Sequence, residues 1–236
     1  MVSTQAILEN ASRYDFSKVR AWLEHSPHEV SKTDAQGWTV LHWVAEAEAK
    51  GIAIDGLVEA LLAAGADPHQ SDHASETPFN IAAPSSPKTG RLMTNHWLES
   101  ALVGKGPKGL NDTSGSHDST LAQYIGKWSA DDEIADQLRR AKAVGMKIAV
   151  QNSSGWTALH AAAAMGRANA VKAFASLYTE EEKNLRTTEE YIASYGVNFP
   201  AHATAAQTAQ ARLDQDNNLT AEMKAGLQKS IAAIRN

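Results

Sequence analysis

Cysteine is absent from all 236 residues. That excludes a disulfide framework, a thiol nucleophile and a thiolate metal site, and it fits a reducing, cytoplasmic setting. Long apolar runs are missing too, since no stretch approaches the roughly 20 residues needed to cross a bilayer. Met1 to Phe16 carries Glu9, Asn10, Arg13 and Asp15 where a secretory leader would be apolar. The expectation is a cytoplasmic protein with no membrane partner. A basic excess is also lacking: 22 Lys and Arg against 27 acids give a net charge of −5. Phosphate binding needs a positive field, so nucleic acid is not expected as a partner. What is present is a globular composition, 43% hydrophobic and 21% charged, enough to bury the core of one body or a short repeat array.

The chain repeats itself. Asp34-Ala35-Gln36-Gly37-Trp38-Thr39-Val40-Leu41-His42 returns as Asn152-Ser153-Ser154-Gly155-Trp156-Thr157-Ala158-Leu159-His160. A weaker copy runs from Asp72 to Asn80, and Ser119-Thr120-Leu121-Ala122 is a more degenerate fourth. Anchored on Thr39, Thr77, Ser119 and Thr157, the copies lie 38, 42 and 38 residues apart, and Gly65 and Gly145 each stand twelve residues before an anchor. A fixed period of this size marks a stack of supersecondary units that bury a shared core.

These signatures, Thr39-Val40-Leu41-His42, Thr77-Pro78-Phe79, Thr157-Ala158-Leu159-His160 and Gly65-Ala66-Asp67-Pro68, resemble the ankyrin repeat family. The resemblance covers residues 32–178, and repeats longer than the family's 33 residues imply insertions. It implies an all-α, ankyrin-type helical solenoid of about four to five stacked helix pairs with capping helices. One domain is expected over 1–236, with an N-terminal cap at 1–31, repeats at 32–178 and an irregular C-terminal repeat and cap at 179–236. Apolar spacing agrees with this. Leu57, Val58, Leu61 and Leu62 form one helix face that stops at Gly65, and Ile134, Leu138 and Ala141 form another that stops at Gly145. At the C-terminal end, Thr179 and Glu182 form a capping box for a helix running toward Tyr195. Thr204 to Leu213 reads as the first helix of a fifth, decayed repeat, and Met223, Leu227, Ile231 and Ile234 line a last helix. The repeat anchored at Ser119, which lacks the turn Gly and the His, is expected to be the weakest link.

Gly104-Lys105-Gly106-Pro107-Lys108-Gly109 matches G-x-G-x-x-G, but no β-rich run precedes it and turn formers follow, so it reads as an inter-repeat loop. Ser85 to Lys88 matches S-x-x-K within a Pro-Ser-Ser-Pro loop and carries no chemistry. His69 and His73 flank Asp72 at a ligand-like spacing, yet Pro68 and the register put them on an exposed hairpin. Neither a metal nor a cofactor is expected. The resemblance makes His42 and His160 scaffold groups that hydrogen-bond local backbone. No nucleophile, base and orienting group recur at a diagnostic spacing, so catalytic residues are not assigned and the chain is not expected to be an enzyme. The alternative is a small enzymatic site built from the irregular stretches 84–111 and 179–199.

Function then rests on binding. In the resemblance, the residue before the anchor sits on a hairpin tip that varies with the partner, and the row reads Trp38, Glu76, Asp118 and Trp156. Trp is enriched among interface hot spots, and the same Trp positions suit packing over the next hairpin. Lys88, Arg91, Lys105 and Lys108 against Glu99 make residues 84–111 a local +3 in an acidic chain, either a basic binding loop or a solvated one. The expected role is a non-enzymatic protein-protein interaction module, an adaptor or stoichiometric inhibitor. Its partner is a protein with a basic patch, and a bacterial immunity or effector role is compatible with it.

Overall fold

The computed structural model describes residues 3–54, 56–82, 86–115, 117–193 and 196–235. The chain is 53% helical, with four strands of two residues each among the described residues. It forms two compact units, one built from the residues up to Glu99 with Ser114 and Gly115, the other from Ser100 to Thr113 and from His117 onward.

In the first unit, α1 (Thr4–Ala11) and α2 (Val19–His25) bury Ile7, Leu8, Ala11, Val19, Trp22 and Leu23. Their faces are joined where Trp22 Nε1 donates to Thr4 Oγ1 at 3.1 Å. Next come α3 (Val40–Ala49) and α4 (Leu57–Ala63). Helix α4 ends as its apolar pattern ends: Gly65 turns left-handed at φ +93°, and the Ala66 N–H reaches back to the Leu61 carbonyl at 2.9 Å. Only a residue without Cβ makes that reversal at no steric cost. The short α5 (Pro78–Ala82) packs on α3.

The stretch 84–111, read above as irregular, is mostly a helix, α6 (Pro87–Leu102). Pro87 opens it at the one helical position that suits proline. Gly90, Met93, Thr94, Trp97 and Leu98 are buried along one face. That helical spacing is present in the sequence directly after the loop-forming Pro84-Ser85-Ser86-Pro87. Ser85 lies outside the described residues.

The strand β1 (Thr113–Ser114) lies where the chain passes from one unit to the other; in the second unit β2 (Ser119–Thr120) leads into α7 (Leu121–Trp128), α8 (Ile134–Ala143), α9 (Ala158–Ala164) and α10 (Ala168–Ala175). Helices α7 and α9 approach so closely that a Cβ on Gly126 would sit 3.1 Å from the Ala158 carbonyl oxygen and 3.2 Å from Phe174 Cε2. The all-alanine run from Ala161 to Ala164 makes this approach feasible, and every residue of α9 is buried.

The helix expected from Thr179 toward Tyr195 is a single turn, α11 (Glu180–Lys183). Its capping box is present, but none of its residues is buried, and a helix with no apolar face gains nothing from growing longer. A hairpin follows: β3 (Tyr191–Ile192) pairs antiparallel with β4 (Asn198–Phe199), Tyr191 opposite Phe199. Tyr195 lies outside the described residues. The last pair, α12 (Ala205–Gln215) and α13 (Ala221–Arg235), falls where the fifth repeat and the last helix were expected.

Candidate protein-binding face

Each repeat enters its first helix through the same local structure. A threonine caps the helix by accepting an N–H three residues on: Thr39 from His42, Thr120 from Gln123, Thr157 from His160 and Thr204 from Gln207. Thr77 does the same with Asn80. The anchor of the degenerate repeat is therefore Thr120, one residue later than Ser119. Two residues before each cap stands a left-handed residue: Gly37, Ser75, Asp118, Gly155 and His202. In the complete hairpins an Asx oxygen ties the turn together. Asp34 Oδ1 accepts from Gln36 and Trp38, Asp72 Oδ1 from Ala74 and Glu76, and Asn152 Oδ1 from Ser154 and Trp156.

At four of these caps, Thr39, Thr120, Thr157 and Thr204, the residue three past closes a second bond. His42 and His160 accept the cap threonine's own N–H on Nδ1, at 3.0 and 3.2 Å, and Gln123 and Gln207 do so with Oε1, at 2.7 and 2.8 Å. In the second unit these side chains also reach the following repeat. Gln123 Nε2 donates to the Trp156 carbonyl at 2.6 Å, and His160 Nε2 bonds the Ala203 carbonyl at 3.1 Å. That arrangement requires a neutral imidazole with its proton on Nε2. Burial supplies it, bringing His160 down from 6.5 to about 4. Burial lowers His42 too, with the Glu76 carbonyl and Asp72 opposing it. The expected scaffold role of both histidines is what the hydrogen bonds describe.

With Thr120 as anchor, the row before the cap reads Trp38, Glu76, Ser119 and Trp156. Asp118 is displaced from it: it occupies the left-handed turn position, exposed, with Oδ1 near Thr113 Oγ1 at 3.3 Å. Both tryptophans are half-buried and engaged inside their own units. Trp38 lies over His42 and Trp43, and its Nε1 donates to Asp72 Oδ2 of the next hairpin at 2.7 Å. Trp156 meets Phe199 edge-on at 5.2 Å and Tyr191 at 5.8 Å, and packs on the cluster of Ala164, Ala193, Val197 and Phe199. Glu76 is half-buried and its backbone pairs with Asp72.

The basic segment is not one loop. Lys88 and Arg91 sit in the first two turns of α6, whereas Lys105 and Lys108 lie in the turns after it. Gly104 is left-handed at φ +66° and follows a helix, the reverse of a strand-to-helix phosphate loop. His69 is not on an exposed hairpin. It is buried to 7% exposure, with its ring edge-on to Trp97 at 4.3 Å and Nδ1 2.7 Å from Ser114 Oγ, while His73 is exposed. Among the described residues no group of three or more metal-ligating side chains comes together.

An open groove of about 520 Å³ lies on the second unit, between the β4 hairpin and α12. Asn198, Gln207, Gln210, Asp214 and Gln215 supply its polar lining, and Pro200, Ala201, Ala203 and Ala211 its apolar walls. Gln215 clamps the hairpin by accepting the Asn198 N–H and donating to the Asn198 carbonyl, both at 2.9 Å. Sequence reasoning missed this groove because its two sides are brought together only by folding. The one signal available was the run of amides at Gln207, Gln210 and Gln215 along one helix.

Comparisons fit this architecture. The ankyrin repeat family matches residues 36–73 and 154–176. Among curated proteins, none matches the sequence. Three solved structures share the fold over nearly the whole chain. One is a chain from the Bdellovibrio bacteriovorus complex of a predatory endopeptidase with an immunity protein (17% identity, 99% of this chain and 98% of that one, TM-score 0.55). Another is an ankyrin repeat protein (18%, 100% and 99%, TM-score 0.54), and the third is an ankyrin repeat domain from Acinetobacter baumannii AYE (16%, 98% and 98%, TM-score 0.51). Ankyrin repeats are protein-protein interaction modules and in general not enzymes. No helix among the described residues is long and apolar enough to cross a membrane. Five Thr-capped repeats, the two matched segments and the shared fold support an ankyrin repeat family for the chain.

Proposed function

We propose that the chain is a stoichiometric inhibitor of a protein partner, acting by occlusion and catalysing no reaction of its own. The observation that carries this reading is the division of labour at the binding face. The polar groups of the repeats, Asp34, Asp72, Asn152 and the capping threonines, are tied into the scaffold, whereas the groove beside α12 is amphipathic, open and held in shape. A fixed, open surface suits recognition of another protein with little ordering on binding. Similarity of fold to a chain from an endopeptidase–immunity complex supports inhibition over the adaptor role, and the cytoplasm is the proposed compartment.

The test is capture from native lysate followed by titration. A single partner should be retained at one-to-one stoichiometry, and its activity should fall to baseline when one equivalent of the chain is added. Two simultaneous partners with activity retained would make the chain an adaptor. Turnover of a substrate by the purified chain alone would return attention to an enzymatic site.

A further inference from the structure

We propose that the groove between the β4 hairpin and α12 is a receptor for one arginine side chain presented by the protein partner, an inference that rests on the protein-binding reading. The groove is amphipathic in the way an arginine is. Pro200, Ala201, Ala203 and Ala211 form apolar walls suited to a three-carbon stem. The polar end of the groove offers acceptors. Gln210 donates its Nε2 to Asp214 Oδ1 at 2.8 Å, and Gln215 donates its Nε2 to the Asn198 carbonyl at 2.9 Å. Gln210 therefore uses its amide donor within the fold and turns its oxygen to the groove, while Gln215, whose Oε1 already accepts the Asn198 N–H, offers only a second lone pair. The Asp214 carboxylate is exposed on the groove, and among the described residues no donor reaches Asn198 Oδ1, a buried acceptor beneath it.

Charge points the same way. Asp214 lines the groove, and Glu190 stands behind it as the acceptor of Asn198 Nδ2. Neither lysine nor arginine lines it. Arg186 is bonded to two groups at the groove, the His202 carbonyl at 2.7 Å and Gln207 Oε1 at 3.5 Å, and the exposed His202 forms part of the rim. A guanidinium carries five N–H donors in a planar fork and no acceptor, which matches several carbonyl and carboxylate oxygens better than the point charge of a lysine.

The experiment is an NMR titration of the ¹⁵N-labelled full chain with N-acetyl-arginine methylamide, whose blocked ends leave the guanidinium as its only charge. Saturable shifts should be confined to amides of residues 198–215, with a dissociation constant of about 1–10 mM for so small a probe. Asp214→Asn should weaken binding about three- to fivefold, and Gln210→Glu should tighten it. N-acetyl-lysine methylamide should bind several-fold more weakly, and N-acetyl-glutamate methylamide should not bind. Equal binding of the lysine probe, binding of the glutamate probe, or indifference to Asp214→Asn would each overturn the assignment. Tighter binding of free arginine than of the blocked form would make the groove a metabolite site and overturn it as well. Because no partner enters this titration, its failure is distinct from a failure to capture one.

Discussion

The repeats anchored at Thr39 and Thr157 and those anchored at Thr120 and Thr204 reach the same closure by different chemistry. The first pair uses a histidine to accept the cap N–H and a tryptophan to lie over the next hairpin. The second uses a glutamine for the same bond and has the small, buried Ser119 and Ala203 in place of the tryptophan. What the fold requires at the third helical position is an acceptor at one place and, in the second unit, a donor at another. Imidazole and carboxamide both provide them. A comparison of letters calls the second pair decayed, whereas the hydrogen bonds show it intact.

Trp156→Ala is the hardest blow to this comparison. If the tryptophan is a structural staple, its loss opens a void beside Phe199 and Tyr191 and costs about 3 kcal/mol, a fall of roughly 6–12 °C in melting temperature. Stability unchanged, with affinity for a captured partner reduced, would return Trp156 to the interface.

Acid should separate histidine from glutamine closure. An unfolded imidazole titrates near 6.5 and the folded His160 at about 4, so between those values the unfolded chain binds the extra proton. Stability is complete above about pH 6.5 and declines as the pH falls toward 4, by on the order of 3 kcal/mol from this one group. His160→Gln should remove that part of the decline while leaving stability at pH 7 nearly unchanged, as thermal melts across the window would record. Melts of the variant with the same acid slope as the parent would show that the titrating group lies elsewhere.

Trp38→Phe keeps the ring stack and deletes only the indole bond to Asp72, an effect of about 1 kcal/mol. Denaturant titration should find the midpoint lowered and the slope constant. The smallest change is expected for Gln123→His, within about 0.5 kcal/mol either way if the two closures are interchangeable. Hydrogen exchange then asks where the degenerate repeat is weak. The sequence alone points to the whole segment from Leu110 to Ile125, but Leu121 and Ile125 are fully buried and Gly126 lies against α9. Residues 110–115 should therefore open early and α7 should be protected like α9. Early exchange across all of α7 would restore the simpler expectation.

The contrast also explains what could be read in advance. Period, caps and glycine stops are local, so Thr39, Thr157, Thr204 and Gly65 announced their structures from a few neighbouring residues. Helix α6 was masked by the prolines before it, although Trp97 and Met93 carried its spacing. The one-residue error at Asp118 arose because Ser119 and Thr120 are both capable caps, and only the bond from Gln123 N–H to Thr120 Oγ1 chooses between them. The groove was hidden for a different reason: Asn198 and Gln215 are seventeen residues apart, and nothing in either segment names the other.

The five left-handed turn residues have a consequence for how this scaffold could be remade. Only Gly37 and Gly155 occupy that conformation freely, while Ser75, Asp118 and His202 hold it against the clash of their own Cβ, on the order of 1 kcal/mol for an ordinary side chain. Three of the five hairpins are thus tensioned springs, and glycine at those positions would slacken the backbone without disturbing the capping bonds. The array has been left with slack that a breeder of sturdier variants could take up one hairpin at a time, beginning at Ser75 and Asp118, which lie outside the groove lining.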